Sequence, residues 1–295
     1  MILDSTSIHH REDSHRVPDG LHLFVQSWAP DVPEAVVVLV HGFAEHSGRH
    51  EAAALHLAHE GYAVQSFDLR GHGRSQGKRC FVRAFDEYLD DAEAVVLRAE
   101  RRWPGKQVFL VAQSLGALIA SLCVVDGRFK LSGMILSAPA AKLGSDYSAF
   151  KIGASLALGR ALPHLPMFRL RSSSICSDPA VVRAFEEDEF VYHGRTPART
   201  ASEIVRAIRR LQASAERIHT PMLLIHGGRD QVASIDGSQA LYERVSSSDK
   251  KLRVYEGLWH EVMHEPENAM VLKEMAGWLR ERTSRPVGAQ SQPSN

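Results

Sequence analysis

The chain has 295 residues, long enough for one large domain or a domain carrying an insertion, and 44% apolar with 24% charged residues is ordinary for a soluble globular protein. Lysine plus arginine equals aspartate plus glutamate at 35 each, and the basic residues are scattered, so no basic stripe points to nucleic acid. Cys80, Cys123 and Cys176 are odd in number and far apart, which excludes a disulfide framework or a cysteine metal cluster and favours a reducing cytoplasm.

In chain order, the opening MILDSTSIHHREDSH lacks a cationic start followed by an apolar core, so no signal peptide is expected. EAVVVLVHG (34–42) is a β-branched run ending in glycine, the pattern of a strand buried on both faces. GYAVQSFDLRGHG (61–73), KQVFLVAQS (106–114), LSGMILSAPA (131–140), TPMLLIHGGRD (220–230) and KKLRVYEG (250–257) repeat the plan. Helical spacing of apolar residues predicts helices over 85–103 and 265–282, the second starting near Pro266. Buried strands alternating with helices mean an α/β fold with a mainly parallel sheet, whose active site lies beyond the carboxyl ends of the strands.

The alternation breaks between about Ala140 and His219, where only helical and loop-like segments appear. Some 80 residues is too long for a connection, so 140–219 reads as a helical cap inserted between core segments 1–139 and 220–284. The tail 285–295 is polar and reads as disordered. No stretch approaches the roughly 20 apolar residues that cross a bilayer.

Three stretches compete for the chemistry. HEVMH (260–264) matches a zinc motif that needs both histidines on one continuous helix, yet Pro266 places the helix start after it. GRSQG (73–77) matches G-x-S-x-G, but Ser75 stands several residues past its strand and no helix follows; it reads as an exposed serine in a glycine-rich loop. LVAQSLGALIA (110–120) departs from that pattern at one position and has the right context. A buried strand runs into Ser114 and a helix starts at once, with Gly116 on one side and Ala112, larger than glycine by one methyl, on the other.

A serine hydroxyl needs a histidine base oriented by a carboxylate. In enzymes built on such an elbow, acid and histidine follow later strands in that order. Asp230 and His260 stand at the ends of the next two strands; Asp236 is a rival acid near a helix start. The remaining histidines read mostly as surface or loop residues, and His46, His72 and His226 have no strong claim to the chemistry. The oxyanion donors expected are the backbone N–H groups of Leu115, after the nucleophile, and of Phe43, in the loop HGFAEHSGRH.

HGFAEHSGRH, DLRGHGRSQG, QSLGA, LLIHGGRDQV and YEGLWHE together resemble the monoacylglycerol lipase and lysophospholipase branch of the α/β-hydrolase superfamily, over about residues 20–282. The resemblance implies an α/β-hydrolase fold with an inserted cap. It makes Ser114 the nucleophile, His260 the base, Asp230 its partner, and Phe43 and Leu115 the oxyanion donors. The substrate implied is a monoacylglycerol, with lysophospholipids and short-chain esters as alternatives and no metal or organic cofactor. The family elbow reads Gly-His-Ser-Met-Gly-Gly, and this chain departs from it at Ala112, Gln113, Leu115 and Ala117. A different serine hydrolase of the same fold, a catalytically silent binding protein or a zinc protease are the rival readings. The apolar segment YSAFKIGASLALGRALPHLPMFRL (147–170) either packs on the core or faces outward to meet membranes or micelles.

Overall fold

The computed structural model describes residues 7–144 and 148–283. Two strands precede the first one anticipated from the sequence. β1 (His9–Arg16) and β2 (His22–Ala29) pair as an antiparallel hairpin, and β2 pairs antiparallel with β4 (Tyr62–Phe67). β1 reads HHREDSHR and is mostly exposed. It is an edge strand whose charges discourage pairing with another chain, so it has no apolar alternation to detect.

The other strands run parallel: β3 (Ala35–Val40), β5 (Val108–Gln113), β6 (Gly133–Ser137), β7 (Met222–Gly227) and β8 (Lys250–Tyr255). The sheet has eight strands in the order β1-β2-β4-β3-β5-β6-β7-β8. All six strands expected from the sequence are present, within segments cut back by a few residues.

Side chains alternate across the sheet, so each central strand feeds two cores. Val36, Val38, Leu110, Leu136 and Leu224 join one core with α2 (Asp86–Arg102), α3 (Leu115–Val125) and α7 (Ile235–Arg244). Val37, Val111, Ile135 and Leu223 join the other with α1 (Glu51–His59) and α8 (Asn268–Thr283). Each fully buried Val, Leu or Ile contributes about 1.5–3 kcal/mol, which is why the β-branched runs sit at the centre.

Between β6 and β7 lie α4 (Ala149–Ala161), α5 (Pro179–Glu187) and α6 (Ala198–Ser214). Asp178 caps α5 by accepting from the N–H of Ala180, and Pro179 opens the helix. α6 is rooted in the sheet core through Ala207, Ile208 and Leu211. Ile175, Cys176, Phe185 and Val191 form a small separate cluster around α5. Among the described residues no helix is long and apolar enough to cross a membrane. The tail 285–295 lies outside the described residues.

Candidate active site

Ser114 stands between β5 and α3 with φ 51° and ψ −109°, a left-handed conformation that costs a non-glycine residue energy. Neighbouring backbone holds it there: its N–H donates to Ser137 O at 2.9 Å, and its carbonyl accepts from Leu118 and Ala140, each at 3.2 Å. The turn crowds β3. A Cβ at Gly116 would lie 2.4 Å from Val40 O and 2.6 Å from His41 O, so glycine is obligatory there. At Ala112 the corresponding methyl is accommodated, fully buried in the core.

Asp230 follows β7 and His260 follows β8. His260 Nδ1 lies 2.7 Å from Asp230 Oδ2, and Asp230 Oδ1 accepts the N–H groups of Val232 (2.8 Å) and Ala233 (2.9 Å). Burial opposes ionisation of Asp230, but the facing His260, the hydrogen bond from His226 and that from His260 outweigh it and hold the carboxyl well below its usual range. Burial likewise opposes an imidazolium at His260, and Asp230 overcomes this to leave its pKa above the ordinary histidine value.

Phe43 and Leu115 line the same cleft as Ser114 and His260. Leu115 opens α3, and a helix leaves the N–H of its first residue without an intrahelical acceptor. The loop bearing Phe43 is held from behind by buried charges. Glu45 Oε1 accepts the N–H of Gly42 at 2.5 Å, and Glu45 Oε2 receives Arg49 Nη1 at 2.8 Å and His50 Nε2 at 3.0 Å. Arg49 also forks onto Glu261, with both distances 2.7 Å. Burial pushes both carboxyls up, but His50 and Arg49 at Glu45, and Arg49 with His264 at Glu261, keep them ionised and below their ordinary values. The loop after β3 and the loop carrying His260 are thereby tied together. Sequence reading took EHSGRH only as a family marker, because a charge in a glycine-punctuated loop looks solvated.

The cleft is narrow, leaving about 70 Å³ free to the centres of water-sized molecules. Its walls are mostly apolar, with Leu143, Phe168, Leu170, Ile175, Ile204, Val205 and Val232, and Thr196 is a polar member among the residues contributed between β6 and β7. Gln113, beside the serine, donates from Nε2 to His260 O at 3.1 Å.

The competing stretches fall elsewhere. Ser75 is buried rather than exposed; its hydroxyl donates to Asp68 O at 2.6 Å and accepts the N–H of Phe24 at 2.9 Å, a structural clasp. HEVMH lies in a turn, and α8 starts at Asn268, after the motif and two residues later than Pro266 suggested. Its two histidines face different partners, His260 the Asp230 carboxylate and His264 Nε2 the Arg49 carbonyl at 2.8 Å. Asp236 is exposed on α7 and pairs with Lys142 at 2.6 Å.

Neither His72 nor His226 is a surface residue: both are buried, and His46 is nearly so. His72 sits against Cys80, and burial lowers its pKa to about 3. His46 Nε2 meets Asp188 at 2.8 Å. His226, inside β7, reaches Asp230 itself at 3.1 Å. A histidine within LLIHGG, a strand buried on both faces, was the available signal.

Residues 31–267 match the family described as serine aminopeptidase S33. The monoacylglycerol lipase of Mycolicibacterium smegmatis is 34% identical, the match covering 88% of this chain and 93% of that protein. The human monoglyceride lipase is 30% identical over 97% of this chain and 96% of its own length. Among solved structures, a monoacylglycerol lipase from Paleococcus ferrophilus is similar with a TM-score of 0.79 at 27% identity, covering 94% of this chain and 99% of the other. The strand-to-helix turn at Ser114, the His260–Asp230 pair and these matches agree: the chain belongs to the serine aminopeptidase S33 family of α/β-hydrolase-fold serine hydrolases, in its monoacylglycerol lipase branch.

Proposed function

We propose that the chain hydrolyses monoacylglycerols through an acyl-enzyme formed on Ser114. The observation that carries this reading is the placement of Ser114 and His260 in a cleft lined mostly by apolar side chains, with Glu45, Gln113, Thr196 and Glu261 as its other polar members. Ser114 Oγ attacks the ester carbonyl while His260 Nε2 takes its proton. The tetrahedral oxyanion accepts from the N–H groups of Phe43 and Leu115, each such donor being worth about 10²–10³ in rate. His260 then protonates the departing glycerol oxygen as the carbon–oxygen bond breaks. Water repeats the sequence on the acyl ester, releasing fatty acid and restoring Ser114. Asp230 accepts from Nδ1–H throughout, which fixes the tautomer that leaves Nε2 free to act as base.

Residues 140–219 act as a cap over this cleft, rooted by α6. Its segment divides between two environments. Phe168 and Leu170 line the cleft, whereas Phe150 (83% exposed), Leu162 (51%) and Leu165 (37%) face outward. Phe190, also in the cap, adds to the exposed apolar surface. Such a surface suits peripheral docking on lipid aggregates, where long-chain substrates reside. Three buried free cysteines, Cys80, Cys123 and Cys176, fit a cytoplasmic setting.

A substrate panel tests the reading. Monoacylglycerols should show the highest kcat/KM among monoacylglycerols, lysophospholipids, aryl esters and aminoacyl peptides. Preference for lysophospholipids, or cleavage of the peptides alone, would overturn it.

A further inference from the structure

His226 is completely buried, and its ring approaches the same Asp230 carboxylate oxygen, Oδ2, that meets His260. Its Nε2 faces two acceptors, Asp230 Oδ2 at 3.1 Å and Ala233 O at 3.2 Å, so that nitrogen must carry the proton. Its Nδ1 lies 2.7 Å from Ser238 Oγ, whose hydroxyl can donate to it. Ser238, on α7, is itself buried and thereby selects the Nε2–H tautomer. The carboxylate thus meets four donors: the N–H groups of Val232 and Ala233 on Oδ1, and both histidines on Oδ2.

We propose that His226, oriented by Ser238, is a positioning residue for the acid of the triad. It holds the Asp230 carboxylate in the rotamer that meets His260 and limits how much negative charge His260 feels. This deepens the functional reading above and rests on it. A hydrophobic ring would fill the same space, but it would bring neither the hydrogen bond to Ser238 nor a polar Nε2–H edge 3.1 Å from Asp230 Oδ2. In a dry site each unmatched polar group is costly, so the relay is maintained as a unit or not at all.

The consequence has a sign. The His226 N–H dipole points its positive end at Asp230. Removing it strengthens the negative field at His260, stabilises the imidazolium and raises the pH at which the base becomes free. The charged or titratable groups facing His260 are Asp230, Glu261 and Glu45; facing Asp230 are His260 and the neutral ring of His226. Only the last contact is altered by a change at 226.

The test measures kcat/KM against pH on a soluble short-chain ester for the full chain and four variants. His226→Leu should lose about ten- to a hundredfold in kcat, the range associated with partners that orient a site ligand. Its acid limb should move upward by about half a unit or more. His226→Gln, whose amide can donate to Asp230 and accept from Ser238, should restore most of the rate and the original limb. Ser238→Ala, which frees the ring to change tautomer, should shift the limb in the same direction as His226→Leu. The downfield proton resonance of the Asp230–His260 hydrogen bond should move in His226→Leu and return in His226→Gln. If His226→Leu fails to fold, Ser238→Ala carries the same test. Unmoved limbs and resonances, or equal losses in the Leu and Gln variants, would make His226 a packing residue and overturn the proposal. Asp230→Asn separates the two levels: if it stays active, the triad assignment has failed; if it is inactive while the 226 and 238 variants resemble the parent, only the positioning role has.

Discussion

Arg49 forks onto Glu261, the residue next to His260, and with the same guanidinium reaches Glu45, which holds the N–H of Gly42. One buried cation therefore fixes the spacing between the two loops that flank Ser114. Removing it would strand two carboxylates away from water. Arg49→Ala should cost about 3–5 kcal/mol of stability, the penalty for breaking a buried ion pair from one side. Arg49→Lys should recover part of this, since an ammonium meets one carboxylate at a time where the guanidinium forks. Chemical denaturation of both variants checks it; an Arg49→Ala protein as stable as the parent would contradict the network's role.

The His260–Asp230 pair makes opposite demands on activity and stability. On the proposed mechanism His260 must be neutral to accept a proton, so kcat/KM should rise with pH through its folded-state value, which lies above the ordinary 6.5. The pair's stabilisation runs the other way: it is fully present below 6.5 and is lost as pH rises through the raised value. For Asp230, held below 3.8, the contribution is present above 3.8 and lost as pH falls through its folded value. A pH–rate profile on a soluble ester should place the acid limb above 6.5, and Asp230→Asn should lower kcat by about 10⁴. A limb below 6.5 would mean that Asp230 does not govern the base.

Gly116 and Ala112 flank the nucleophile turn but differ in what surrounds them. Gly116→Ala drives a Cβ against two backbone carbonyl oxygens, of Val40 at the end of β3 and of His41 just after it, neither on a flexible side chain. The elbow must shift, and loss of most activity with a lowered melting temperature is expected. Ala112→Gly removes one buried methyl and should cost about 1 kcal/mol with activity retained. Comparing melting temperatures and kcat of the two variants decides it; a benign Gly116→Ala would show that the turn has slack.

Much of this arrangement was legible because a sheet buried on both faces writes its strands as continuous apolar runs. VVVLV, VFLVA and MLLIH each mark a strand, and whatever follows each run lies at the carboxyl edge of the sheet. That reasoning placed Phe43, Ser114, Asp230 and His260 on one edge before any geometry was available. It could not find β1, whose exposed charges serve an edge and carry no alternation. Nor could it find Glu45, Arg49 and Glu261 as a buried network, because ion pairing is a matter of distance in space and leaves no spacing in the chain. Nor could it find the contact of His226 with Asp230, since a histidine inside a strand shows its partner only once the strand and the following loop are folded together.

The outward apolar residues of the proposed cap carry a separate expectation. Phe150→Asp combined with Leu162→Asp should weaken binding to phosphatidylcholine vesicles and slow hydrolysis of aggregated monoacylglycerol. Turnover of a soluble short-chain ester should be unchanged, since neither residue lines the cleft. Vesicle co-sedimentation and parallel assays on the two substrates measure this. Equal losses on both substrates would place these side chains in the fold's stability instead of at a lipid surface.

The central claim is that Ser114, and not the serine in the better-matching GRSQG stretch, performs the chemistry. Reaction with a fluorophosphonate probe followed by peptide mass mapping addresses it most directly. Label is expected on Ser114 alone, and Ser114→Ala should abolish labelling and lower kcat by about 10⁶. Ser75→Ala should still label, with any loss traceable to the broken contacts to Asp68 and Phe24. Label on Ser75, or an active Ser114→Ala enzyme, would contradict the account.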